Sequence, residues 1–257
     1  MANPSIQSPI DNKDWLGEVF RLTVFFLTPG KIDTSNWWQL ATGELPEVRN
    51  SQPKIGVLQE EGEYKGGRLA LTTQPDRADW LFLPSFDKEM GVPDFGQLKP
   101  YISSIDILTK LVIDWLKVTP PLSRVAFGMV LHHPVPDRST GYRELAKYLT
   151  MVQIDPENSS DFLYQINRRR LSSIITSLPL NRLTKWAVAN VDSRQFSLGL
   201  GIPLQTIEST NQHFVRLELD VNTAQEFRKQ LPSDQIPLVF EELVNLAKEL
   251  ADKGDVP

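Results

Sequence analysis

The fold is decided by Arg21-Leu22-Thr23-Val24-Phe25-Phe26-Leu27-Thr28-Pro29, read together with Arg124-Val125-Ala126-Phe127-Gly128-Met129-Val130-Leu131-His132-His133-Pro134. Both runs are rich in β-branched and aromatic residues and both end at a proline, so each reads as a buried strand. The first strand is expected over Glu18–Thr28 and the second over Arg124–His132. Each is followed by an aspartate and a short helix. Asp33, Thr34 and Ser35 offer capping oxygens for Trp37, Trp38, Leu40 and Ala41, with Gly43 as the stop, and after Asp137 the run Ser139-Thr140-Gly141 precedes Tyr142, Leu145, Ala146 and Leu149.

Working outward, each half continues in the same order. In the first half, Lys54–Glu60 and Arg68–Thr73 read as strands joined by a turn at 63–67. Trp80–Leu83 is a further strand, and Tyr101–Val118 is a long helix capped by Ser103 or Ser104. In the second half, strands are expected at Phe162–Arg168, Leu183–Val191, Gln195–Leu200 and His213–Val221. Thr223 and Glu226 match a capping box for a turn or two of helix. A final helix starts at Ser233-Asp234 and carries the stripe Ile236, Val239, Phe240, Leu243, Leu246, Ala247 and Leu250. Residues 44–53 and 84–100 read as loops.

The expected fold class is therefore α+β: antiparallel sheet or sheets backed by two long helices. The doubled order of strand, short helix, strands and long helix points to internal duplication. The expected organisation is a polar arm at 1–14, a first half at 15–119 and a second at 122–257, packed as one globular unit.

The layout resembles a sporadically distributed family of uncharacterised prokaryotic proteins of about 250 residues. The resemblance lies in an Arg-led mid-chain strand, Arg124 to Val130, after a helix ending at Val118 and before the short helix Tyr142 to Leu149. It departs at Phe127-Gly128-Met129-Val130-Leu131-His132-His133, where a more polar continuation is expected. The resemblance implies no catalytic residues.

Composition narrows the function classes. The chain has 257 residues, 40% of them hydrophobic and 23% charged, which suits a globular core. It has no cysteine, which removes disulfides, thiolate metal sites and cysteine nucleophiles. A net charge of −5 disfavours a basic nucleic-acid-binding body, although not a local patch. The start lacks the charged and apolar regions of a signal peptide. The longest apolar run, Val19 to Leu27, is interrupted by Arg21 and Thr23 and falls short of the ~20 residues of a membrane span. A cytoplasmic location without membrane contact is the expectation.

Reactive motifs are sparse. His132 and His133 are the weak metal candidates, but on a strand they point to opposite faces. The zinc-site spacings are missing. Gly199-Leu200-Gly201 lacks the third glycine of a dinucleotide loop, and Asp94-Phe95-Gly96 lacks every other kinase motif. Glu63-Tyr64-Lys65 with Asp33 matches a nuclease pattern only in outline. Glu60, Glu61, Glu63, Asp76 and Asp79 read as a hydrated acidic rim. No cofactor and no enzymatic activity are expected.

Two groups are candidates for binding. Trp37 and Trp38 cannot both face one core from a short helix, so one is expected to pack and the other to lie at a rim as an interface candidate, with structural packing of both as the other reading. The window 161–190 places Arg168, Arg169, Arg170, Arg182 and Lys185 against Asp161, with Trp186 nearby. Arginines beside an aromatic suit an acidic protein partner first and nucleic acid second. Without a partner, these arginines would meet acids of the long helices, such as Glu241, Glu242 or Glu249. The expected function is that of an interaction or adaptor protein. A nucleic-acid-binding module and a metal-dependent hydrolase are the alternatives.

Overall fold

Alternation sets which side of each strand is buried. Along β1 (Leu16–Phe26), Phe20, Leu22 and Val24 are fully buried, whereas Arg21 between them is exposed. The computed structural model describes residues 15–30, 32–84, 99–197, 205–227 and 229–257. After β1 come α1 (Trp37–Thr42), β2 (Val48–Gln52), β3 (Val57–Tyr64), β4 (Gly67–Thr73), β5 (Arg77–Leu83), β6 (Lys99–Pro100) and α2 (Tyr101–Leu116). The chain continues through β7 (Leu122–Val135), α3 (Arg138–Tyr148), β8 (Leu163–Asn167), β9 (Arg170–Leu171), β10 (Pro179–Ser197), β11 (Gln205–Thr223) and α4 (Ile236–Lys253).

Among the described residues the strands form one sheet of 11, in the order β2-β3-β4-β5-β1-β7-β11-β10-β8, with β6 on β1 and β9 on β10. Every pairing is antiparallel. The two strands that decide the fold, β1 and β7, lie side by side at its centre. Their register sets Arg21 opposite Gly128 and Phe25 opposite Arg124.

The four described helices share one face of the sheet, as their aromatic contacts show. Trp38 of α1 packs on Trp80 of β5, and Trp37 packs on Trp115 of α2, which itself meets Trp80. Tyr148 of α3 stacks on Trp186 of β10, and Phe240 of α4 meets Phe127 of β7. Polar ties reinforce this layer. Tyr101 Oη donates to Asp252 Oδ1 at 2.9 Å, and Trp15 Nε1 donates to the Ala251 carbonyl at 3.1 Å.

Local signals act as expected at several points. The α1 stop, Gly43, adopts φ +80°, and Lys65-Gly66 turn β3 into β4 with both φ angles positive. At α3 the structure differs: Ser139-Thr140-Gly141, expected before the helix, lie within it, and the cap is Asp137, its carboxylate accepting from Thr140 N at 2.7 Å.

Other expectations are corrected. Residues 48–52, read as loop, form β2. All five are exposed, so this edge strand carries no apolar alternation to read. After Thr223 the described residues form a single hydrogen-bonded turn, Phe227 N to Ala224 O at 3.1 Å, and no helix. Thr223 closes β11 and its hydroxyl accepts from Val125 N, so it serves the sheet. Neither Ser103 nor Ser104 caps α2: Ser103 Oγ donates to the Pro100 carbonyl at 2.8 Å and Ser104 is buried. Leu183–Val191 and Gln195–Leu200 are not separate strands. Both fall on the 19-residue β10, as far as Ser197. The polar arm at 1–14, Asp94-Phe95-Gly96 and Gly199-Leu200-Gly201 lie outside the described residues.

Candidate functional site

The basic segment is held within the chain. Arg168 donates from Nε and Nη2 to the two carboxylate oxygens of Asp255, both at 2.8 Å, and Tyr164 Oη donates to the same carboxylate at 2.7 Å. Arg170 reaches Glu249 at 2.8 Å and the Pro257 carbonyl at 2.7 Å. Arg169 pairs with Glu226. Arg182, fully buried on the helix side of β10, donates to the Val256 carbonyl. Burial, with repulsion from Arg170, pushes its guanidinium pKa down. Trp186 is wholly buried against Trp15 and Tyr148. Thus Arg168, Arg170 and Arg182 hold residues 255–257 and α4, and Trp186 belongs to the core. Of the expected binding set, Lys185 turns to the other face, where its Nζ lies 3.0 Å from Glu218 Oε1.

The interface tryptophans are likewise core residues: Trp37 is 5% exposed and Trp38 is 2%. The expectation that they could not share a core fails because α1 sits in the corner between α2 and the sheet. That corner buries a wide arc of the short helix, so residues about 100° apart both find partners.

The two histidines diverge, as alternation requires. His132 lies edge-on to Phe214 and contacts the Glu18 carboxylate, which Arg216 also faces. Burial pushes the Glu18 pKa up, but the hydrogen bond and charge of His132, with Arg216, outweigh it and hold the carboxyl below its usual range. His133 turns to the helix side and meets Trp15 edge-on. Among the described residues no group of three or more His, Asp or Glu is placed to hold a metal ion. Asp33 accepts locally from Ser35, and Lys65 sits in the β3–β4 turn near the Tyr64 ring. Glu60, read as part of a hydrated rim, is fully buried and accepts from Arg49 Nε at 2.9 Å.

What sequence reading missed is the sheet face opposite the helices. None of the described helices lies there. Arg21, Gly128, Asp220, Lys185 and Gln165 occupy it across β1, β7, β11, β10 and β8, as their register shows. A groove of about 470 Å³ runs over it from Leu81 of β5 to Gln165 of β8. Those strands span about 24 Å at the usual spacing. A single hollow bounded by both ends requires a concave face. Val19, Leu81, Val130 and Leu183 supply apolar walls.

Two arginines on this face occupy matching places. When the β1 and β7 openings are laid over each other, Arg21 falls on Arg124 and Phe25 on Gly128. Register sets each arginine opposite the other strand's residue of that pair. Arg124 lies over the Phe25 ring, 4.6 Å from its centroid, and donates to the Thr223 carbonyl and to Asn222 Oδ1. Arg21 lies beside Gly128. A Cβ built on that glycine would stand 3.7 Å from Arg21 Nε and Nη2. Among the described residues Arg21 has no hydrogen-bond or ion-pair partner. These cross-strand neighbours are visible in the sequence only once the strands are paired.

In comparisons with known proteins, no family model matches the chain and no curated protein matches it. No described helix is long and apolar enough to cross a membrane.

Proposed function

We propose that this chain is a cytoplasmic interaction protein that holds a protein partner in the concave face of its sheet. The carrying observation is the groove spanning six adjacent strands on the face that no described helix covers. Charge favours protein over nucleic acid. Arg21, Arg68, Arg77, Arg124, Lys185 and Arg216 on this face are offset by Glu18, Glu61, Glu63, Asp79, Glu218 and Asp220. Such a balanced surface lacks the excess cations that phosphate neutralisation needs. Apolar walls interleaved with paired charges suit a polypeptide instead.

Internal duplication is part of this reading. Counted outward from the centre, the strands run β1-β5-β4-β3 on one side and β7-β11-β10-β8 on the other. In each half a short helix follows the first strand and a longer helix closes the unit. The groove then straddles the junction of the two units.

The test is selection of random 12-residue displayed peptides on the immobilised protein. Binders are expected to be lost on Leu183→Arg and Val130→Arg, which charge the groove walls. They are expected to survive on Leu171→Arg and Leu238→Arg, exposed positions on β9 and α4. Salt-sensitive binding of single- or double-stranded DNA, with no peptide selected, would overturn the reading in favour of nucleic acid.

A further inference from the structure

The sheet path ends at β2, and the next hairpin fixes which of its backbone groups point outward. β3 and β4 are joined by the two-residue turn Lys65-Gly66, both at positive φ. In such a hairpin the flanking residues, here Tyr64 and Gly67, exchange both backbone hydrogen bonds. Bonding alternates along a strand. The even-numbered residues of β3 therefore bond to β4, and Val57, Gln59 and Glu61 bond to Gln52, Asn50 and Val48 of β2. The N–H and C=O groups of Arg49 and Ser51 are left pointing away from the sheet. Among the described residues no strand pairs on that side and no hydrogen bond reaches those groups. All five residues of β2 are exposed. Edge strands are commonly guarded by proline, a bulge or a charge. β2 has no proline and no register shift, and its one charge, Arg49, is tied to Glu60 of its own chain.

We propose that a second copy of this chain pairs with this edge, β2 against β2, antiparallel about a two-fold axis at Asn50. The sequence selects that register. With Asn50 opposite Asn50 of the second copy, each Arg49 faces a Ser51, and each such pair exchanges both backbone hydrogen bonds. Sliding by two residues one way sets Arg49 opposite Arg49, like charge on like. Sliding the other way sets Arg49 opposite Pro53, which has no N–H to give. In the selected register Leu45 and Ile55 lie equally far from Asn50 on either side, so each copy brings its Leu45 towards the Ile55 of the other. These side chains are 76% and 60% exposed in the single chain. Self-complementarity of this kind is what a two-fold contact between identical copies requires. Paired residues share a face, so both concave faces open in the same direction, and the pair presents two grooves side by side.

The contact is short, and a concentration-dependent dimer is expected. The chain has no cysteine, so single cysteine substitutions read the contact directly. Asn50→Cys places two thiols in a pair not joined by hydrogen bonds, with Cα atoms about 4.5 Å apart, within disulfide range. Under mild oxidation it is expected to form a linked dimer about tenfold or more faster than two controls. Gln52→Cys lies on the same face of the same strand but opposite Val48, and Gln165→Cys lies on β8, at the far end of the sheet path. In sedimentation velocity, Ser51→Pro is expected to be monomeric where the wild type dimerises. It deletes an outward N–H and leaves the β2–β3 bonds in place. If Ser51→Pro does not fold, Ser51→Arg carries the test. It sets like charges opposite each other twice and is expected to weaken the dimer about tenfold.

A wild type that stays monomeric up to its solubility limit, with Asn50→Cys linked no faster than Gln52→Cys, would overturn the proposal. So would a dimer that survives both Ser51 variants, or one that Gln165→Cys links fastest, which would move the contact to β8. Pairing at β2 requires nothing of the groove, so none of these results decides the peptide-selection test of the concave face.

Discussion

Arg168 grips Asp255 through two parallel hydrogen bonds, Nε to Oδ1 and Nη2 to Oδ2, each 2.8 Å long. The contact joins the segment between β8 and β9 to the residues after α4, 87 positions along the chain. Together with Arg170 and Arg182, it converts the most basic stretch of the sequence into a fastening for residues 255–257.

Acid should loosen this fastening. The Arg168 hydrogen bonds hold the Asp255 pKa below its ordinary value, against the upward push of burial. A depressed folded pKa means that the stabilisation is present above the unfolded value, about 4. It is lost as pH falls through the lower folded value. Urea midpoints measured from pH 7 down to pH 2 should fall steeply below about pH 4 in the wild type. Asp255→Asn should start lower and fall less steeply in that window. Parallel curves for the two proteins would refute the assignment.

Charge reversal at Arg168 and Arg170 should act on folding before it acts on binding. Replacing both by Glu sets like charges against Asp255 and Glu249. The double variant should lose its cooperative thermal transition. Arg168→Lys, which cannot form the parallel fork, should keep a cooperative transition with a Tm below that of the wild type. An unchanged Tm in the double variant would show that these ion pairs do not hold the tail.

Gly254 is the hinge of the same tail. Its φ is +78°, and a Cβ there would meet the Tyr148 backbone at 2.2 Å. Gly254→Ala should cost about 1–3 kcal/mol or more, from the left-handed backbone combined with the clash. Urea unfolding provides the number. The Asp255 N to Tyr148 O bond, 3.0 Å, should lose hydrogen-exchange protection.

The tryptophan chain Trp37–Trp115–Trp80–Trp38 should behave as core. Trp115, 1% exposed, touches two of its members. Trp115→Ala should cost about 3–5 kcal/mol. Leu40→Ala, on the exposed side of α1, should stay within about 0.5 kcal/mol of wild type. Comparable losses from both would contradict the burial described.

The sequence by itself determined the strands, helices and faces wherever one side of an element is buried. Phe20, Leu22 and Val24 alternate with Arg21 and Thr23 because a strand's side chains point to opposite sides. The α4 stripe repeats because a helix turns every 3.6 residues. Gly43 and Asp137 stop and start helices through local backbone chemistry alone. Tertiary structure decided what depends on residues distant in the chain. β2 exists because β3 pairs with it, and nothing in Val48–Gln52 signals that. Glu60 is buried because Arg49 answers it across that pairing. Arg168, Arg170 and Arg182 read as a surface for an acid until α4 and residues 255–257 fold back and supply the acids and carbonyls. Arg21 and Gly128, 107 positions apart, are brought opposite each other only by the register of β1 against β7. Local propensity acts over a few neighbours, whereas charge pairing and shape are settled by whichever side chains the sheet brings together.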